Sequence, residues 1–167
     1  GSIKIEFADV HTERKCIPME KKPIALACDH AGYPLKEELK KHLEKRGIAY
    51  TDYGTNSTES VNYPEYAHLL CQAIGEGKND LGILICGTGV GMSIAANKHS
   101  GIRAAVCSDT FSARYTRMHN DANVLCLGAR VVGAGLAEDL CDLFLDTPFE
   151  GGRHQKRVDM LNSLDKR

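Results

Sequence analysis

What the sequence lacks narrows the field first. No stretch is apolar for the length that a membrane-crossing helix needs, and no run of basic residues gathers on one segment. Lys and Arg number 21 against 22 Asp and Glu, a formal charge of −1. Broad binding to a membrane or to a nucleic-acid backbone is therefore not expected. No secretory signal pattern opens the residues given. Seven cysteines are present, but no two form a CxxC pair. An odd number scattered through apolar stretches fits neither a disulfide framework nor a zinc site, so no metal is expected and the compartment reads as reducing cytoplasm. The glycines near residue 90 lack the Lys-Ser/Thr ending of a nucleoside triphosphate loop, and GTGVGM fails GxGxxG at its third glycine. Internal repeats and low-complexity tracts are also missing.

What is there suits one domain. A chain of 167 residues, 43% of them hydrophobic, can build a single core and is short for two. Residues 1–21 read as a leader, with Gly1-Ser2 as an expression scar followed by an extension in which His11 and Cys16 are incidental; residues 22–167 read as the domain. Short apolar runs bounded by glycine or polar residues predict strands at Ile24 to Cys28, Ile48 to Tyr53, Leu81 to Ile85, Arg103 to Cys107 and Asn123 to Leu127. Helical spacing predicts helices between them and two more after the last strand, from Gly133 or Ala134 to about Leu145 and from Arg153 to Leu164. This alternation predicts an α/β fold, a Rossmann-like three-layer sandwich with a five-stranded parallel sheet.

The organising stretch is Leu81 to Asn97, LGILICGTGVGMSIAAN. A buried strand ends in Cys86 and gives way to Gly87, Thr88, Gly89 and Gly91 before a helix begins. Such a turn lets several N–H groups face one concavity at a helix N-terminus, which favours anions and thiolates. Taken alone, the stretch also reads as a strand-to-helix turn around a buried cysteine. Parallel strands end at one edge, however, and Asp29-His30 ends the first strand there, where open α/β sheets bind ligands. Ser108-Asp109 shares that edge and reads as a helix cap. His119-Asn120-Asp121 follows a helix, and a neutral imidazole there can move a proton near pH 7. Arg130 stands apart in sequence from Arg153 and Arg157, which share a helix face; arginine forks suit phosphate, although a solvated basic face has the same pattern. His42, His68, His99, Cys71, Cys107, Cys126 and Cys141 read as structural.

Five blocks in order carry a family resemblance: CDHAG at Cys28 to Gly32, ICGTGVGMSIAANK at Ile85 to Lys98, GIRA at Gly101 to Ala104, HNDANVL at His119 to Leu125, and EGGRHQKRV at Glu150 to Val158. Together they resemble the type B ribose-5-phosphate isomerases, in the family that also holds galactose-6-phosphate and allose-6-phosphate isomerases. The resemblance implies cofactor-free and metal-free interconversion of an aldose phosphate and a ketose phosphate through a cis-enediolate. It also implies a homodimer, or a dimer of dimers, with sites shared between subunits. By similarity Cys86 is the enolising base, Thr88 polarises it or the substrate oxygens, and His119 opens the sugar ring. Gly87, Gly89 and Gly91 form the anion hole; Asp29, Asn120 and Tyr63 bind the sugar; His30, Arg130, Arg153 and Arg157 hold phosphate. Some members carry a Glu on the glycine loop as base; here that position is Met92, which implies the cysteine type. A six-carbon sugar phosphate as substrate, or a non-catalytic sugar-phosphate-binding protein, are the competing readings. A nucleotide-binding module would need an acidic residue at the end of the second strand, near which Asp52 lies.

Overall fold

A computed structural model describes residues 21–166, so the leader apart from Lys21, with His11 and Cys16, lies outside the described residues. Period-two alternation of apolar side chains sets the sheet. In β1 (Ile24–Cys28), Ile24, Leu26 and Cys28 face one core while Ala25 and Ala27 face a second. In β3 (Gly82–Cys86), Ile83 and Ile85 take the first side, Leu84 and Cys86 the other; in β5 (Val124–Gly128), Leu125 and Leu127 oppose Val124 and Cys126. Both faces of these central strands are buried, as a parallel sheet requires. β2 (Tyr50–Asp52) and β4 (Ala104–Val106) are short edges, giving the order β2-β1-β3-β5-β4, all parallel.

Helices cover both faces. α1 (Tyr33–Lys45), α4 (Thr110–Asn120) and α5 (Ala134–Asp146) supply Leu39, Ala113 and Phe144 to the first core, while α2 (Tyr63–Gly75) and α3 (Val90–Asn97) supply Leu70 and Met92 to the second. α6 (Arg153–Ser163) follows the turn at Gly151 and Gly152. The expected three-layer α/β/α sandwich and its five parallel strands are present. The helix ends also follow local chemistry. Pro34 occupies the first turn of α1, and Gly47 just past its end has φ +69°. Asp109 caps α4 by accepting the Ser112 N–H at 2.6 Å, the role expected of that pair.

Two features of this frame position the site. The chain leaves β1 for β2 on one side and reaches β3 on the other, so the crevice between the ends of β1 and β3 is the switch point where open α/β sheets bind ligands. Asp29 and Cys86 flank it, tied by the Asp29 N–H donating to the Ile85 carbonyl at 3.1 Å. Gly32 lets α1 start against β3, since a Cβ there would stand 2.4 Å from the Ile85 carbonyl oxygen. Gly32→Ala is accordingly expected to cost about 1–3 kcal/mol through overpacking against backbone. A urea unfolding midpoint unchanged from wild type would show that the contact is relieved elsewhere.

Candidate active site

The turn after β3 accounts for its donors one by one. The first four N–H groups of a helix have no intrahelical acceptor. At α3 these belong to Gly89, Val90, Gly91 and Met92. The Gly89 N–H donates to Cys86 Sγ at 3.2 Å, and the Val90 N–H donates to Thr88 Oγ1 at 3.2 Å. Those of Gly91 and Met92 have no hydrogen-bond acceptor among the described residues. Gly89 sits at φ +79°, and a Cβ on it would meet Val106 at 2.8 Å and the Leu127 carbonyl carbon at 2.9 Å. The turn is thus closed around glycine, which holds the Cys86 sulfur at the positive end of α3.

Burial pushes the thiols of Cys28, Cys71 and Cys141 up to about 12 and that of Cys107 to about 11, and it holds Cys126 well above its ordinary value. These five are core residues without thiolate chemistry near neutral pH, as the structural reading of Cys71, Cys107, Cys126 and Cys141 expects. Cys86, 4% exposed, is the thiol that receives a backbone N–H.

Around it lie the residues from β1 and β5. Asp29 Oδ1 accepts the N–H groups of Ala31 and Gly32 at 3.0 and 3.1 Å, which fixes the carboxylate and leaves Oδ2 without a hydrogen bond among the described residues. His30 Nδ1 accepts the Val61 N–H at 3.1 Å. A ring nitrogen that accepts is unprotonated, so in the neutral ring the proton sits on Nε2, which can donate. The Arg130 N–H donates to the Gly87 carbonyl at 3.0 Å, and its side chain passes 3.7 Å from where a Gly87 Cβ would stand. The Tyr63 ring lies so close to Gly91 that a Cβ there would be 2.8 Å from it. Asp29, His30, Tyr63, Arg130 and the glycine turn therefore form one assembly with Cys86.

His119 belongs to a second group. Its ring stacks on His154 at 4.1 Å between centroids and 12° between planes, meets the Tyr115 edge at 5.0 Å, and has Glu150 Oε2 3.9 Å from Nε2. His154 is 5% exposed; burial, then the His119 ring, hold its imidazole below the usual histidine range. Arg153 and Arg157, one turn apart on α6, are exposed and have no acidic partner among the described residues. His119 and Asn120 were expected just beyond a helix but form the last two residues of α4. No glycine marks a stop there; the helix ends at Asp121 in the left-handed region, φ 46°, with the Ala122 N–H donating to the Thr116 carbonyl. Among the described residues, no hydrogen bond, ion pair or ring contact joins this second group to Cys86.

Several other placements differ from the sequence reading. The Gly89 N–H, expected in the anion hole, donates to the Cys86 sulfur, and the Met92 N–H, not among the expected donors, has no acceptor among the described residues. His68 and His99 were expected to lack convergent partners, yet His68 Nδ1 lies 2.8 Å from His99 Nε2, with His99 Nδ1 2.9 Å from the Ala95 carbonyl. Asp52 is engaged by Lys36 Nζ at 2.6 Å, Lys40 Nζ at 3.2 Å and the Gly54 N–H at 2.8 Å. Against burial, which would raise it, these partners hold its carboxyl below the usual range and tie it to α1 and the backbone. The nucleotide reading falls with it. Glu150 and His154 beside His119 were not anticipated; their spacing of four residues was the available signal.

Residues 24–161 match the family described as Ribose/Galactose Isomerase. The chain is 52% identical over 146 residues to ribose-5-phosphate isomerase B of Escherichia coli, covering 87% of this chain and 98% of that protein. It is 45% identical over 139 residues to a D-erythrulose-4-phosphate isomerase of Pectobacterium atrosepticum, covering 83% and 91%. The solved ribose-5-phosphate isomerase B of Clostridium thermocellum superposes with a TM-score of 0.85 at 50% identity, covering 86% of this chain and 97% of that one. With a match that runs from the first strand to the last helix, the chain belongs to the ribose/galactose isomerase family.

Proposed function

We propose that this protein interconverts ribose 5-phosphate and ribulose 5-phosphate, with Cys86 as the base, in the cytoplasm and as a homodimer or dimer of dimers. The observation that carries the reading is the Cys86 sulfur at the β1/β3 switch point, receiving the Gly89 N–H at the start of α3. On the open-chain aldose, the thiolate takes the proton from C2, the C–H electrons form the C1–C2 double bond, and the carbonyl oxygen at C1 gathers negative charge. The Gly91 and Met92 N–H groups face that charge, the kind of fixed donor that lowers such barriers most. Passage of the O2 hydroxyl proton to O1, and return of the carbon-bound proton from the Cys86 sulfur to C1, leave the ketose. Asp29 Oδ2 and Tyr63 are placed for sugar hydroxyls, and His30 Nε2 and Arg130 for phosphate. His119 opens the ring, with Asn120 beside it for a sugar hydroxyl.

Two observations support shared sites. The His119 group, with Arg153 and Arg157, has no direct link to the Cys86 group of its own chain among the described residues. Leu69 on α2 and Val90 and Ile94 on α3 expose large apolar side chains beside the glycine turn, as a surface covered by a second copy would. Domain limits of 22–167, with the preceding residues as a leader, complete the reading.

Substrate length is the finer question, since the relatives' names include a five-carbon and a four-carbon phosphate. A fixed phosphate clamp is a ruler: each added carbon moves C2 away from Cys86, and a misplacement of about 1 Å can cost roughly a hundredfold in rate. The expected order of kcat/KM places ribose 5-phosphate above allose 6-phosphate and galactose 6-phosphate. Arg153→Ala or Arg157→Ala is expected to weaken every sugar phosphate by about 1.5–3 kcal/mol, the range for a hydrogen bond to a charged group. Measuring kcat/KM for the three sugars on one preparation decides: preference for a six-carbon phosphate rejects the pentose assignment, and no turnover of any of them favours a non-catalytic binding protein.

A further inference from the structure

Outside the Cys86 assembly, three metal-ligating side chains converge. One ligating atom from each of His119, Glu150 and His154 lies within 4.8 Å of the other two. His154 Nε2 is 3.4 Å from Glu150 Oε2, and His119 Nε2 is 3.9 Å from the same oxygen. In a tetrahedral zinc site with bonds near 2.0–2.2 Å, neighbouring donor atoms stand about 3.3–3.5 Å apart. One edge of such a site is already formed and the second is slightly long.

A second observation points the same way. His154 Nε2 is buried and has no hydrogen-bond partner among the described residues, and the His154 side chain is 7% exposed. A buried polar atom left unpaired is costly unless something fills its place. Its nearest acidic neighbour, Glu150, offers an oxygen, but no hydrogen bond forms between them. That nitrogen lies 3.4 Å from Glu150 Oε2, the oxygen that His119 Nε2 also approaches at 3.9 Å.

We propose that His119, Glu150 and His154 bind a zinc-class divalent ion, and that its binding inhibits the enzyme by taking the nitrogen with which His119 opens the sugar ring. Two imidazoles and a carboxylate are a borderline donor set that suits zinc and its neighbours over magnesium or calcium. The two rings are within 12° of parallel, so closing on one ion asks a ring to tilt. His119 and Glu150, with side chains 35% and 44% exposed, have the room; His154 is the fixed post. Three protein ligands leave the fourth position to water. The ion is an inhibitor and not a cofactor, because the enolisation proposed at Cys86 asks nothing of it.

The inhibition rests on the isomerase reading, but the binding does not, and the two are measured separately. Zinc titration by calorimetry on the Cys86→Ala protein, whose reactive thiol is gone, is expected to show one ion per chain, and Glu150→Ala or His154→Asn in that background is expected to abolish it. Glu150 is exposed, so its variant tests the site even where His154→Asn fails to fold. Cobalt in place of zinc should give a spectrum without a thiolate charge-transfer band. In the Cys86-containing enzyme, zinc should suppress ribose 5-phosphate turnover reversibly with a chelator, and Glu150→Ala should remain active while losing that sensitivity. Absence of binding to the Cys86→Ala protein, or binding that persists in Glu150→Ala, overturns the site. Binding without inhibition overturns the assigned link to His119 alone.

Discussion

Cys86→Ala is expected to lower kcat for ribose 5-phosphate by a factor of about a hundred to ten thousand, the usual worth of a positioned proton-transfer group. Substrate affinity and stability should change little. The removed atom is a single sulfur at the core's edge, and the phosphate is assigned to His30, Arg130, Arg153 and Arg157, none of which hydrogen-bonds to it. Because the interaction matters in the transition state and not in the ground state, kcat and kcat/KM should fall together. Alkylation gives an independent view. Burial pushes Cys28, Cys71 and Cys141 up to about 12 and Cys107 to about 11, and holds Cys126 well above its ordinary value, so iodoacetamide should modify Cys86 ahead of them, and saturating substrate should slow the reaction. Turnover within tenfold of wild type in a clean alanine preparation would remove Cys86 from the mechanism.

The second large effect belongs to His119→Asn, and its size should depend on whether the substrate is a ring. On ribose 5-phosphate the loss is expected to reach about a hundredfold, as for other acid–base groups. D-Erythrulose 4-phosphate is the contrast. Its terminal oxygen is esterified, so it has no hydroxyl with which to close a five-membered ring, and it meets the site already open. The loss on that substrate, compared with wild type on the same substrate, should be much smaller. Equal losses would make His119 a structural histidine held between Tyr115 and His154. The same variant tests subunit sharing. Mixed dimers of Cys86→Ala and His119→Asn chains recover activity if each site takes its cysteine from one subunit and its histidine from the other. They stay inactive if each chain supplies both.

Much of this was legible in the chain because the determinants are local. The strands stood out as short apolar runs closed by Gly54, Gly87 or Asp29, and the helices between them made the sheet parallel, while the strand order emerged only in the structure. Asp29-His30 and Cys86 could be placed at one edge for the same reason. Less legible was anything set by backbone direction within a turn. Three glycines announce a concavity but do not say that the Gly89 N–H donates to sulfur while those of Gly91 and Met92 have no acceptor among the described residues. The end of α4 misled because it is a left-handed Asp121 and not a glycine. Pairs drawn from distant elements were beyond reach: His68 with His99, Lys36 with Asp52, and His119 with His154 meet only once the helices pack. The competing nucleotide reading failed on such a tertiary fact, the capture of the Asp52 carboxylate by two lysines.

The central claim is that the Cys86 sulfur removes the proton from C2, and the fate of that hydrogen tests it most directly. Ribose 5-phosphate carrying deuterium at C2 would be incubated with wild-type and Cys86→Ala protein at saturating substrate and the label followed by NMR. The wild-type enzyme is predicted to move the label to C1 or release it to water as ribulose 5-phosphate forms, while the alanine variant binds the sugar phosphate and leaves deuterium at C2. Loss of label from C2 on the alanine variant at the wild-type rate would contradict the account, whatever the steady-state rates show.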